Sequence, residues 1–182
     1  MELYIGRPKT NEGRLEKEIK VYDFLDSLGI EYFRVDHTPA GTMEDCAKIE
    51  KVLDNVICKN LFLCNRQKTR FYMFVLPADK HFVTKEFSPK VNSSRLSFGT
   101  PEDLLSMLDL TPGSVSIMGL INDTGCRVSL VIDKEILSHE HFSCHPCINT
   151  SSIKLKTDDL INKIIPALKH TPTFVDYTPP TE

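Results

Sequence analysis

Apolar residues recur at helical spacing through Leu15, Ile19, Tyr22, Leu25 and Leu28, which predicts a helix over 13–28, stopped by Gly29. The spacing then changes. Ile30, Tyr32, Phe33 and Val35 predict a strand over 30–37, followed by a turn at Thr38-Pro39-Ala40-Gly41. Thr42 with Asp45 marks a helix start, and that helix is expected to run to Leu53. Two apolar runs, 56–64 and 70–76, flank the polar Asn65-Arg66-Gln67-Lys68-Thr69 and read as a hairpin. The stretch 80–92 is polar and reads as mobile. Thr100-Pro101-Glu102-Asp103 opens a short helix through Leu108. Strands are expected over 114–121 and 127–132, an irregular loop over 139–150, and a strand over 152–156. Thr157-Asp158-Asp159 starts a last helix, with Leu160, Ile161, Ile164 and Leu168 on one face. Helices and strands in this order predict an α+β fold: a mixed β-sheet with flanking helices.

At 182 residues the chain suits one domain, expected over 13–170, with an N-terminal arm over 1–12 and a Pro-containing extended tail over 171–182. Lys and Arg number 22 against 25 Asp and Glu, a net charge of −3. That balance excludes a polybasic nucleic-acid coat but not a local basic patch. Arg66, Lys68, Arg70, Lys80, Lys85, Lys90 and Arg95 concentrate positive charge in mid-chain, as a landing strip for phosphates or as solvated loops. No apolar run spans a bilayer and Met1 to Arg7 carries no signal-peptide core, so a cytoplasmic protein without membrane partners is expected. In that compartment the 6 Cys read mostly as reduced, buried hydrophobes. The loop with His139, His141, Cys144, His145 and Cys147 has one Cys-x-x-Cys pair and no second at finger-like spacing. It reads as an ordinary loop, with a zinc site as the competing reading, and no cofactor is expected.

Phosphate-binding, dinucleotide-binding, nucleophile-elbow and metalloprotease motifs are all missing. Three segments remain. In Cys58-Lys59-Asn60-Leu61-Phe62-Leu63 a lysine interrupts a strand, either on a solvated face or as a cation at a pocket mouth. In the segment from Thr111-Pro112-Gly113-Ser114 to Ile117-Met118-Gly119 and Asn122-Asp123, Gly119 falls in an expected strand interior, as a packing bulge or a point of ligand approach. Asn122-Asp123 suits turn chemistry. In His145-Pro146-Cys147-Ile148-Asn149-Thr150 an irregular loop gathers donors and acceptors.

In this order the segments resemble the signature blocks of the YbaK/prolyl-tRNA-synthetase-associated editing family, over about Glu16 to Leu168. Lys59-Asn60-Leu61, Pro112-Gly113-Ser114-Val115 with Gly119-Leu120-Ile121-Asn122-Asp123, and His145-Pro146 with Asn149 and Thr150 carry the resemblance. The His-Pro-x-x-Asn block is similar to the free-standing ProX/PrdX branch, which hydrolyses alanine misattached to proline tRNA. The YbaK branch clears cysteine from the same tRNA. The branch commonly has Pro and an aromatic before the Gly119 position; this chain has Ile117-Met118, both apolar.

The resemblance implies a partly barrel-like editing fold and a deacylase of Ala-tRNA(Pro). Lys59 would hold the terminal phosphate or ribose, and Gly119 would let the backbone approach the aminoacyl group. His145 would orient the ribose or the water. Asn60, Ile117, Met118, Asn122, Asp123, Asn149 and Thr150 would shape the substrate site. The free ribose hydroxyl would assist water attack, and proline would be excluded by size. The acceptor end of tRNA(Pro) is the implied partner, with prolyl-tRNA synthetase as a further candidate. Three alternatives stay open: a deacylase for cysteinyl- or another mischarged tRNA, a non-catalytic tRNA- or synthetase-binding module, and a zinc-binding regulator.

Overall fold

A computed structural model describes residues 1–40 and 43–179. Gly41 and Thr42, on which a turn end and a helix start were expected, lie outside the described residues. The elements run β1 (Leu3–Ile5), α1 (Glu16–Ser27), β2 (Tyr32–Asp36), α2 (Met43–Leu53), β3 (Lys59–Cys64), β4 (Phe71–Leu76), α3 (Thr84–Phe87), β5 (Ser97–Phe98), α4 (Pro101–Leu108), β6 (Val128–Asp133), β7 (His141–Cys144), β8 (Ser151–Lys156), α5 (157–167) and β9 (Thr173–Val175). Short 3-10 turns cover Ser88–Val91, Ile117–Asn122 and Lys134–Ser138.

The fold is α+β, and its strands divide into two sheets. One is antiparallel with order β1-β2-β8-β7; the other is mixed with order β5-β3-β4-β6-β9. β4 shows why the second sheet lies deep in the molecule. All six of its side chains are buried. Because successive strand residues face opposite ways, Phe71, Met73 and Val75 enter the main core while Tyr72, Phe74 and Leu76 enter a second one. The main core packs α1, α4 and α5 with both sheets through Tyr22, Leu25, Phe62, Leu104, Phe142 and Leu160. The second stacks Phe74 on Phe87 at 4.1 Å between centroids, with Tyr177 edge-on to Phe74 at 5.6 Å. A third, small core seats Ile49 and Leu53 of α2 on Val35 of β2.

Local signals account for several boundaries. Thr100 and Asp103 form a reciprocal capping box at the start of α4, with Pro101 in its first turn. Asn65 Oδ1 accepts the Thr69 and Arg70 N–H groups and closes the β3–β4 hairpin.

Several expectations change. The strand expected over 114–121 is a loop leading into the 3-10 turn Ile117–Asn122. Ser116 caps that turn by accepting the Met118 N–H at 3.2 Å, which favours coiling over extension. The irregular loop of 139–150 contains β7, which borders β8. The polar stretch 80–92 is anchored: Phe87 is fully buried. Lys80 Nζ reaches Asp133 Oδ2 and the Tyr177 carbonyl at 2.7 Å each, and Glu135 Oε2 at 2.9 Å. At the two ends, β1 pairs with β2 and β9 pairs in parallel with β6, so neither end is only an arm.

Candidate active site

The two sheets meet where β3 begins. The Cys58 N–H donates to the Ser143 carbonyl of β7 at 3.0 Å, and the His37 N–H at the end of β2 donates to the Thr150 carbonyl at 2.9 Å. α2 packs above this junction on β2 and β8. Between them lies a cavity of about 640 Å³. Cys46, Ala47, Ile49 and Glu50 of α2 line one side, and Lys59 and His145 face it from β3 and from the loop after β7. Ala78 and Asp79, just past β4, complete the rim.

Lys59 is the first residue of β3, paired with Leu76. Its ammonium donates to the Lys80 carbonyl at 2.7 Å. That carbonyl belongs to the residue whose own side chain is tied to Asp133, Glu135 and Tyr177. Tyr177 continues the clamp: its hydroxyl donates to the His81 carbonyl at 2.9 Å and accepts the Val83 N–H at 2.8 Å. The last described segment of the chain thus steadies the wall that holds Lys59.

His145 lines the same cavity from the loop after β7. Its Nδ1 lies 2.9 Å from the Ser151 carbonyl. A carbonyl only accepts, so Nδ1 carries the proton and Nε2 has a free lone pair. Burial lowers the pKa of His145, the Ser151 carbonyl opposes that, and the nearby His37 lowers it further. The ring is therefore neutral near pH 7 and able to accept a proton. Glu50 Oε1 accepts the Ile57 N–H at 3.1 Å, fixing the segment that leads into Lys59. Burial, Glu50 and Asp45 raise the Cys46 thiol, and burial pushes Cys58 up to about 12, so neither supplies a thiolate nucleophile at neutral pH.

The other expected site residues lie apart from this cavity. Asn60, next to Lys59 in the strand, points to the opposite side. It borders a separate cavity of about 260 Å³ with Pro112 and Gly113. Its Oδ1 accepts the Ile117 N–H at 2.8 Å and its amide donates to the Cys58 carbonyl at 3.0 Å. Ile117 and Met118 are fully buried in the main core and do not wall the Lys59 cavity. Gly119 is buried too, and a Cβ there would meet Leu110 Cδ1 at 2.6 Å and Leu108 Cβ at 3.3 Å. Packing against α4 and the residues after it, rather than an approaching ligand, accounts for the missing side chain. Asn122 donates to the Leu108 carbonyl at 2.9 Å and accepts from Lys20 at 2.5 Å. Asp123 accepts the Val128 N–H at 2.8 Å and the Arg127 N–H at 3.0 Å. Asn149 is near Gly113, and Thr150 offers its carbonyl to His37.

The middle block is therefore a brace for the other two. Ser116 donates to the His145 carbonyl at 2.6 Å while the next N–H holds Asn60. Sequence reasoning missed His37, Ser152, Glu50 and Lys80 as neighbours of the site, because each comes from a separate element and none lies in a motif. His37 beside the Thr38-Pro39 turn was the one local hint.

In the Cys144–Cys147 loop, burial raises Cys144 well above the ordinary thiol and Cys147 to about 12. Among the described residues, no three His, Cys, Asp or Glu side chains are arranged to hold a metal ion. Of the mid-chain cations, Lys68 pairs with Asp103 and Lys80 with Asp133, while Arg66, Arg70, Lys85, Lys90 and Arg95 are exposed. No helix among the described residues is long and apolar enough to cross a membrane.

Comparison with known proteins gives a consistent set of likenesses. The model of the aminoacyl-tRNA editing domain family matches residues 37–163. The prolyl-tRNA editing protein ProX of Acetoanaerobium sticklandii is 34% identical over 147 residues, 81% of this chain and 89% of that protein. The prolyl-tRNA synthetase associated domain-containing protein 1 of Danio rerio is 28% identical over 165 residues, 90% of this chain and 88% of that protein. The crystal structure of a candidate trans-editing enzyme for prolyl tRNA synthetase superposes with a TM-score of 0.66, covering 90% of this chain and 99% of that one. At 11% identity, that last likeness concerns the fold alone.

Proposed function

The chain belongs to the aminoacyl-tRNA editing domain family, hydrolases of aminoacyl-tRNA esters, and from that premise we propose that it removes alanine misattached to tRNA(Pro). The carrying observation is that Lys59 and His145, from distant parts of the chain, line one cavity. The ProX relative, named as a prolyl-tRNA editing protein, supports the choice of tRNA. A cytoplasmic setting, where tRNA is charged and used, fits such a substrate.

Ester hydrolysis needs a positioned water, a proton acceptor and stabilisation of the tetrahedral oxyanion. No covalent enzyme intermediate is required. In the proposed reaction water attacks the ester carbonyl, and the adduct collapses by releasing the ribose oxygen, which takes up a proton. The His145 Nε2 lone pair orients the water or accepts its proton. The Lys59 ammonium acts as a fixed positive charge for the terminal phosphate, the ribose or the oxyanion. Its bond to the Lys80 carbonyl leaves two of its three donors for substrate. The adjacent ribose hydroxyl can assist the water without any further protein group.

About 640 Å³ exceeds the needs of either an alanyl or a prolyl group. Proline is therefore excluded by where Lys59 and His145 hold the ester against the α2 wall, not by total volume. A clash at a held ester discriminates against the larger side chain more sharply than a loose pocket would. Arg66, Arg70, Lys85, Lys90 and Arg95 are exposed cations on which the acceptor-stem phosphates can settle.

Turnover of alanyl-, prolyl- and cysteinyl-tRNA(Pro) by the wild type and by Lys59→Ala tests the proposal. Loss of alanine alone, abolished in a folded Lys59→Ala protein, is expected. Full activity in that variant would overturn the role of Lys59. Release of cysteine in place of alanine would overturn the specificity.

A further inference from the structure

His145 does not stand alone behind the cavity wall. Ser152 Oγ lies 3.3 Å from His145 Nδ1 and 3.0 Å from His37 Nε2. His37 Nδ1 in turn lies 2.8 Å from the Thr38 carbonyl. Ser152 is fully buried, and the two imidazole rings are 6.1 Å apart between centroids.

The direction of every hydrogen bond in this chain follows from counting protons. The Thr38 carbonyl only accepts, so His37 carries its proton on Nδ1 and offers a lone pair at Nε2. The single Ser152 proton satisfies that lone pair. Ser152 then turns only lone pairs toward His145, and the Ser151 carbonyl does the same. Both groups on that side of His145 are acceptors, so its proton stays on Nδ1 and its Nε2 stays free.

We infer that Ser152 and His37 are positioning residues for the editing reaction: His37 keeps Ser152 oriented as an acceptor, and Ser152 locks the tautomer and plane of the His145 ring. The inference rests on the reading that His145 works in this cavity. Without His37, the Ser152 hydroxyl can swing round and donate to His145 Nδ1. That would compete with the Ser151 carbonyl and move the His145 proton to Nε2, where the ring could no longer take one from water. The arrangement does for His145 what an orienting carboxylate does for other catalytic histidines, with neutral groups. Ionisable groups elsewhere on the same cavity are Cys46, Glu50, Lys59 and Asp79, and the bonds of Glu50 and Lys59 run to the Ile57 N–H and the Lys80 carbonyl, away from the relay.

Ring-nitrogen NMR on the uniformly labelled full chain reads the tautomer directly and needs no substrate. The wild type should show His145 protonated at Nδ1 only. Ser152→Ala should lose part of that preference, and Ser152→Thr, which keeps the hydroxyl, should restore it. His37→Phe keeps a ring beside His145 but removes the acceptor, and should shift the tautomer in the same direction as Ser152→Ala. With alanyl-tRNA(Pro) as the probe, kcat should fall about tenfold in Ser152→Ala and in His37→Phe while KM holds, the equivalent of one lost hydrogen bond in the transition state. A wild-type ring protonated at Nε2, or variants matching the wild type in both tautomer and kcat, would overturn the inference. An inactive wild type would instead overturn the functional reading on which it rests, so the two failures are separable.

Discussion

Replacing Lys80 with Met removes one charge from the centre of the clamp behind Lys59. The ammonium contacts Asp133 and the Tyr177 carbonyl at 2.7 Å. Burial works against its charge, but Asp133 and Glu135 outweigh burial and raise its pKa. The Asp133 side chain is only 2% exposed, so Lys80→Met strands a carboxylate away from water. Breaking a buried pair from one side costs about 3–5 kcal/mol. Asp133 keeps one bond, from the Glu135 N–H at 3.1 Å, so the cost lies at the lower end, about 3 kcal/mol. For a domain of this size that corresponds to a fall of about 6–12 °C in Tm. Denaturant unfolding of the wild type, Lys80→Met and the double variant Lys80→Met/Asp133→Asn gives the comparison. The double variant should recover at least half of the loss, because its buried partner is no longer charged. Lys80→Met should also lower the editing rate, since the residue whose carbonyl receives Lys59 loses its side-chain ties to Asp133, Glu135 and Tyr177. A loss below about 1 kcal/mol, the range of an exposed ion pair, would refute the buried-charge argument.

Gly119→Ala should destabilise by about 1–3 kcal/mol, the cost of overpacking a close-packed core, because its Cβ meets Leu110 and Leu108; an unchanged denaturation midpoint would show that Leu110 gives way freely. Acid should unfold the protein in part through Asp123. Burial alone would raise its pKa, but the Val128 and Arg127 N–H groups and the His170 ring lower it below the ordinary carboxylate value. The unfolded chain then binds the proton more readily. The contribution is complete above about pH 4 and is lost as pH falls through the lower folded value. Asp36 acts with the same sign: burial alone would raise it, but Arg14 and Arg34 hold it well below the usual range. Denaturant midpoints taken from neutrality down to about pH 3 should therefore decline, and Asp123→Asn should be weaker at neutrality with a shallower decline. Parallel curves for the two proteins would contradict the assignment.

Elements whose identity depends on local spacing were legible in the residues alone. The helix α1, though Leu15 of its expected stripe is exposed, the β3–β4 hairpin around Asn65, the Thr100-Pro101 start of α4 and the apolar face of α5 each follow from signals within a few residues. Lys59 and His145 were legible as chemistry-bearing positions, through the order of the blocks around them and the resemblance those blocks carry. β7, β9 and the coiling of 117–122 were not legible. β7 and β9 exist because β8 and β6 offer them edges, and 117–122 coils around a Ser116 cap packed beneath α4. Gly119 shows the difference most clearly: its strand-interior reading was a matter of pattern, whereas its actual constraint is Leu110, reached only after the chain folds back. Local hydrogen bonds and side-chain periodicity thus set the elements. Only the meeting of two sheets under α2 made a cavity, joined His37 through Ser152 to His145, and tied Lys59 to a residue clamped by the far end of the chain, because such contacts depend on distances that no spacing along the sequence encodes.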